Sequence, residues 1–387
     1  MIGKNVVVVG DLHIDNRKSS IANSETFDEI FRLFNLITKT VVEKQPEFVV
    51  FLGDIFDSPE TISTNVISIV SMLFKDLSTL TKVIILAGNH DSVDDTYQTV
   101  DLTDGKTGNL RSSLVYPFSI SEDIYVIDKP TITDISDLGL DIECTFIPYQ
   151  IDILASLKKV LPKIHEGKKH ILFGHFETRD MNYVKIVKDQ AVVERLPDAE
   201  ELFNTYKQDL VILGHVHEHM EINSKEGNGR LIFTGSARNI NYTNKEEIKG
   251  INVLYLDDLS LEFIRNENTA IYKVFRDTAE LDEFLANTSD EKLAKTKIKF
   301  VYTDSKDTVK YHPFKRKLRR LEFEKSAFTK ELDNTQVNSS VDLNELKMEN
   351  VMNRDNLFNF ILDFRDIKKK DRSEYLSQMI KLSEEDE

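Results

Sequence analysis

Five apolar runs in this sequence each stop at a glycine that is followed at once by aspartate, asparagine or histidine. They are Gly10-Asp11-Leu12-His13, Gly53-Asp54-Ile55-Phe56-Asp57, Gly88-Asn89-His90-Asp91, Gly174-His175-Phe176-Glu177 and Gly214-His215-Val216-His217. Carboxylate, amide oxygen and neutral imidazole together make a mixed hard and borderline donor set, which suits manganese, iron or zinc better than calcium. Two such ions held about 3.5–4 Å apart need one shared carboxylate and several further ligands each. The inventory supplies them: Asp54 as the bridge, Asp11, His13 and His217 on one ion, and Asn89, His175 and His215 on the other. Two of the pairs, Asp11-x-His13 and His215-x-His217, are spaced two apart, so each requires an irregular loop. Any one of these turns alone is ordinary, and a lone histidine such as His175 is most often a structural hydrogen-bonding residue. The joint pattern is different, because five of the 9 histidines fall in these five turns and every turn ends a strand-like run.

Those turns need strands behind them. Apolar runs at Val6–Val9, Phe48–Leu52, Val83–Ala87, Ile124–Ile127, Cys144–Ile147, His170–Phe173, Leu210–Leu213, Leu231–Thr234 and Ile251–Leu256 alternate with helical periodicity, which predicts an α/β architecture with layered sheets. In open α/β sheets the crevice beyond the carboxyl ends of the strands is where ligands bind, and glycine there permits a sharp turn and close approach. Phe27, Ile30, Phe31, Phe34, Ile37 and Val41 recur at helical spacing, with Thr26 and Glu29 placed as a capping box. A second helix reads from Val66, Ile69, Val70, Leu73 and Leu77.

Near Leu261 the pattern changes, and residues 1–258 are read as the main domain. Residues 259–328 read as a small α+β module with a helix near Ala279–Ala286, a strand at Ile298–Tyr302 and a basic helix end at Lys315–Arg320. That cluster is either a nucleic-acid contact or a solvated face. Residues 329–346 are polar and aperiodic, as a linker would be. Residues 347–387 hold two short amphipathic helices that either dock another chain or fold back on their own domain.

Across all 387 residues the hydrophobic fraction is 40%, enough for a sizeable core, and the formal net charge is -16, which argues against electrostatic coating of nucleic acid. The single cysteine, Cys144, sits in an apolar run and fits a reducing compartment. No signal-peptide pattern and no membrane-spanning stretch is present, so a soluble, cytoplasmic protein is expected.

With these motifs in this order, the chain resembles the calcineurin-like metallophosphoesterase superfamily, and its layout resembles the Mre11/SbcD nuclease family, particularly phage members. The motif-bearing likeness spans roughly the first 240 residues, including a Gly235-Ser236 turn after the last histidine pair; beyond that it rests on domain order. It implies a layered β-sandwich core flanked by helices, followed by a capping domain and C-terminal helices. The family's metal ligands fall on the same seven positions, Asp11, His13, Asp54, Asn89, His175, His215 and His217, and its catalytic histidine falls on His90. Asp57 matches bacterial and phage members where others carry histidine; it is expected either to orient His90 through its carboxylate or to cap its loop. His219 is expected outside the ligand set, and the role of Glu177 stays open. The resemblance further implies two divalent ions, with Mn2+ foremost, activating water against DNA phosphodiesters in a recombination and repair complex. It implies a homodimer and a Rad50/SbcC-like ABC ATPase bound through the C-terminal helices. Two rivals remain, a small-substrate phosphodiesterase or phosphatase with the same centre, and an inactive scaffold.

Overall fold

The computed structural model describes residues 4–15, 20–58, 62–101, 107–135, 139–181, 190–240, 248–302, 311 and 321–325. The chain divides into two compact units, residues 1–274 with 285–299, and residues 275–284 with 300–387.

In chain order the first strands are β1 (Asn5–Val9), β2 (Phe48–Phe51), β3 (Lys82–Leu86), β4 (Ser92–Asp101), β5 (Thr107–Ser113) and β6 (Ile124–Ile127). Next come β7 (Thr131–Asp134), β8 (Ile142–Ile147), β9 (Lys169–His175), β10 (Leu210–Gly214), β11 (Met220–Asn223) and β12 (Arg230–Phe233). β13 (Gly250–Tyr255), β14 (Ser260–Arg265), β15 (Ile271–Phe275), β16 (Thr296–Tyr302) and β17 (Leu321–Lys325) complete the set. The first unit is built on two six-stranded sheets, ordered β14-β13-β1-β2-β3-β6 and β11-β12-β10-β9-β8-β7, while β4 and β5 pair as a separate antiparallel hairpin. Four strands of each sheet run parallel, β1, β2, β3 and β6 in one and β8, β9, β10 and β12 in the other.

Parallel strands covered on both faces read as continuous apolar runs rather than alternating ones, and β1 (Asn-Val-Val-Val-Val, buried throughout) is such a strand. Val6, Val8, Phe48, Val50, Ile171, Phe173, Leu210 and Ile212 fill the layer between the sheets. Val7, Val9, Val49 and Phe51 point the other way, onto helices α1 (Ser20–Lys44) and α2 (Thr64–Ser78). Here Phe74 of α2 meets Phe51 edge-on with centroids 4.8 Å apart. Truncating such a core ring to alanine costs about 3–5 kcal/mol. The outer face of the second sheet is covered through Leu157 of α3 (Ile153–Val160) and Leu202 and Phe203, which lie past α4 (Gln190–Val193) on α5 (Ala199–Asn204). The result is a helix–sheet–sheet–helix sandwich, the layered α/β class expected.

Two expectations need correcting. Helix α1 begins at Ser20, so Thr26 and Glu29 lie inside it and form no capping box; Glu29 is buried and serves a long-range contact described below. Strand β14 pairs with β13 as an edge of the first sheet, so the break drawn at 258/259 falls in the turn of a hairpin, and the first unit continues to Val274. The change of pattern at Leu261 reflects an edge strand, none of whose residues is fully buried.

Helices α6 (Thr278–Asn287) and α7 (Asp290–Lys295) occupy the stretch before β16. Within the second unit the Tyr311 hydroxyl hydrogen-bonds the Thr278 carbonyl at 3.0 Å and Asp282 Oδ1 at 2.9 Å, with its ring against Phe300. The basic cluster Lys315–Arg320, the linker 329–346 and the helices expected in 347–387 lie outside the described residues. Among the described residues no helix is long and apolar enough to cross a membrane.

Candidate metal centre

Because β1, β2 and β3 are parallel neighbours in one sheet and β9 and β10 in the other, their carboxyl ends deliver all five turns to one rim of the sandwich. The turns are strained. Asp54 (φ +50°), His13 (φ +44°) and His215 (φ +73°) adopt left-handed backbone, each at a cost of about 1–3 kcal/mol that surrounding contacts must offset. One such contact is the Asp54 carbonyl, which accepts the amides of Leu12 at 3.0 Å and His13 at 2.9 Å. Glycine is required at these turns, since a Cβ at Gly10, Gly53, Gly88, Gly174 or Gly214 would stand closer than 3.0 Å to another residue. A Cβ on Gly88 would stand 2.1 Å from Asp54 Oδ1, and one on Gly53 (φ +108°) would stand 2.5 Å from His175 Nδ1.

Two clusters share Asp54. In the first, Asp11, His13, Asp54 and His217 converge: His13 Nε2 lies 3.0 Å from His217 Nε2 and 3.3 Å from Asp54 Oδ2, and His217 Nε2 lies 3.5 Å from Asp11 Oδ2. In the second, Asp54, His175 and His215 are joined by Asn89, whose Oδ1 is 3.0 Å from His175 Nε2 and 2.9 Å from His215 Nδ1; His175 Nε2 is 3.3 Å from Asp54 Oδ2. The structure thus brings together all seven residues singled out from the sequence, in the two groupings expected.

The electrostatics follow from burying these groups side by side. Burial alone would pull the His175 imidazole down, but the Asp54 and Asp11 carboxylates prevail and push it up to about 9. His13 is likewise raised against its burial, by its bond to Asp57 and the charges of Asp54 and Asp11. Burial, and then the charge on His13, depress His217 to about 3. Asp54 is held below the usual carboxylate range despite burial, by His175 and His13, whereas burial raises Asp11.

The residues present fit a pair of divalent cations. Three rings each commit one nitrogen outward, His175 Nδ1 to the Leu52 carbonyl at 2.7 Å, His13 Nδ1 to Asp57 Oδ1 at 3.2 Å, and His215 Nε2 towards Glu177 Oε2 at 3.5 Å. Such outer partners fix the tautomer of metal-binding histidines. With those tautomers the remaining nitrogens aim lone pairs at carboxylate and amide oxygens, an arrangement that bound cations would satisfy. Asp11 Oδ2, fully buried, makes no hydrogen bond.

His90 stands beside the first cluster, its ring 4.9 Å from that of His13 and its amide on Asp54 Oδ1 at 2.9 Å. Of the two roles open for Asp57, a pairing of its carboxylate with the His90 ring is not made. Asp57 turns its side chain to His13, and its backbone carbonyl takes His90 Nδ1 at 2.6 Å. His219 is exposed, near Phe263, and lies apart from both clusters.

Sequence reasoning missed two buried charges. Asp91, pushed up to about 6 by burial and by Asp54, accepts the amides of Phe56 at 3.1 Å and Gly88 at 2.9 Å and so ties two ligand turns together. Its place at the end of the Gly88–Asp91 run was the available signal. Arg238 donates to the carbonyls of Leu12 and His13, and the Gly235-Ser236 turn just before it was the available signal.

Residues 4–219 match the family described as calcineurin-like phosphoesterase. No curated protein matches the sequence. Among solved structures, the chain is similar to the phosphopantetheinyl hydrolase of Mycobacterium tuberculosis, at 11% identity and TM-score 0.37 over 61% of this chain and 90% of that one. It is also similar to a purple acid phosphatase from yellow lupin (Lupinus luteus) seeds, at 15% identity and TM-score 0.44 over 70% and 52% of the two chains. A dimetal phosphatase from Danio rerio matches at 10% identity and TM-score 0.44 over 69% and 97%.

Proposed function

We propose that this chain, which belongs to the calcineurin-like phosphoesterase family, hydrolyses phosphodiester bonds in DNA as the nuclease subunit of a recombination and repair assembly. The observation that carries the hydrolytic part is the sharing of one carboxylate oxygen: Asp54 Oδ2 lies 3.3 Å from both His13 Nε2 and His175 Nε2, between the two ligand sets. When bound there, two divalent cations supply Lewis-acid polarisation of the phosphoryl group and an activated water. Asp11, His13 and His217 would hold one, Asn89, His175 and His215 the other, and Asp54 both. His90, with Nδ1 given to the Asp57 carbonyl, keeps Nε2 free to place a proton on the leaving oxygen. Asp57 keeps His13 in the tautomer that presents Nε2 inward.

The choice of DNA is supported by the likeness of the motifs, Asp57 included, to phage and bacterial members of the Mre11/SbcD family. A homodimer and an ABC-type ATPase partner of the Rad50/SbcC kind belong to the same proposal. The net charge of -16 favours the rival, a phosphatase or small-substrate phosphodiesterase with the same centre, since a polyanion is repelled at long range. Purified protein with Mn2+ is to be assayed on end-labelled single- and double-stranded DNA, with and without the ATPase, beside p-nitrophenyl phosphate and its bis-ester. Metal-dependent shortening of DNA is expected; rapid turnover of the monoester with intact DNA would overturn the nuclease reading in favour of the rival.

A further inference from the structure

We infer that Arg238, with Glu29 behind it, is the positioning residue of the Asp11–His13–His217 half of the centre: its guanidinium holds the Leu12–His13 backbone in the left-handed turn that aims His13 into the cluster. This rests on reading the two clusters as a dimetal site.

Arg238 is 3% exposed and spends its donors on backbone. Nε donates to the Leu12 carbonyl at 2.8 Å, Nη2 to the His13 carbonyl, and Nη1 faces Glu29 Oε2 at 3.5 Å and the Asn239 carbonyl at 3.4 Å. Glu29 is itself anchored, its Oε1 accepting the Ala270 amide at 2.9 Å and the Thr269 hydroxyl at 3.3 Å. The next residue back, Ala237, donates its amide to the Asp11 carbonyl at 3.1 Å, so Asp11, Leu12 and His13 are all gripped from one segment. A planar fork donating to two successive carbonyls fixes their directions, and with them the φ of +44° at His13; a lysine ammonium lacks that geometry. A buried ion pair is a poor source of net stability, since the desolvation of both charges offsets their attraction, so geometry is the better account of this one. The rings of the other half are set by different groups, His175 by the Leu52 carbonyl and His215 by Glu177.

The test is a calorimetric Mn2+ titration of the full chain, with His13→Ala and His175→Ala as fingerprints of losing either half. Arg238→Gln should weaken one binding step by about 10- to 100-fold, as loss of an outer partner does, leave the other unchanged, and match the His13→Ala profile. Arg238→Lys, which keeps the buried charge, should shift the same step less, and it carries the test if the glutamine variant fails to fold. Two steps at wild-type affinity, or equal weakening of both, would overturn the inference alone; a wild-type chain that takes up no Mn2+ would overturn the dimetal reading and this inference with it.

Discussion

Strand β9 carries a histidine near each end, and the two ends differ in what surrounds it. At the start, His170 Nδ1 lies 3.5 Å from Glu143 Oε2, and the buried Glu143 carboxylate is already engaged by the ring and amide of His165, the latter at 2.9 Å. At the finish, His175 meets side chains from four other turns. Both ends hold histidine and buried carboxylate, so residue type does not separate them. The difference lies in the carboxylate: Glu143 is matched at both oxygens by His165, although His170 Nδ1 makes no hydrogen bond, on backbone with none of the three residues at positive φ. At the His175 end the lone pairs of carboxylates and imidazoles face one another across strained turns.

The contrast can be broken in several ways. The largest expected effect is that of Asp54→Ala, which should reduce hydrolysis to background, a loss beyond the about 10²- to 10⁴-fold typical of one acid–base group. Glu143→Gln should leave kcat intact at a permissive temperature; comparable losses in steady-state assays of the two would erase the distinction. His90→Asn should lower turnover by about 10²- to 10⁴-fold while calorimetry still counts two bound Mn2+. In scanning calorimetry, Mn2+ at 100 to 1,000 times its dissociation constant should stabilise the wild type by about 3–4 kcal/mol for each bound ion. Chelation should reverse that gain, Glu143→Gln should retain it, and Asp54→Ala should lack most of it. Glu143→Gln should also cost about 1–3 kcal/mol in urea unfolding, the penalty for a weakened buried polar contact. The smallest effect concerns Cys144, fully buried beside Glu143, its thiol pushed up to about 12 chiefly by burial. Below that pH the native thiol stays protonated, so iodoacetamide at pH 8 should label it only after unfolding.

What could be read in advance follows the range of the interactions involved. Val6–Val9 and Leu210–Leu213 announce themselves because a doubly covered parallel strand is apolar at every position, and the turns show because glycine and ligand are adjacent in sequence. Strand β14, half exposed, mimicked the start of another domain. Helix α1 begins earlier than its apolar periodicity, and Glu29 looked like a cap because its partners, Arg238 and Ala270, lie some two hundred residues away. Asp57 lies beside His90 as its position implied, but whether its side chain or its carbonyl reaches His90 depends on the path of the loop, which spacing alone does not encode.

The bare Cα atoms of Gly53 and Gly88 carry a consequence for how this protein can be damaged. With His175 Nδ1 and Asp54 Oδ1 pressed against them, a single added methyl group would push aside the very side chains whose other atoms, Nε2 and Oδ2, face one another in the cluster. An inactivating lesion therefore need not touch any residue bearing a functional group; the most inert side chain in the alphabet, put in the wrong place, suffices.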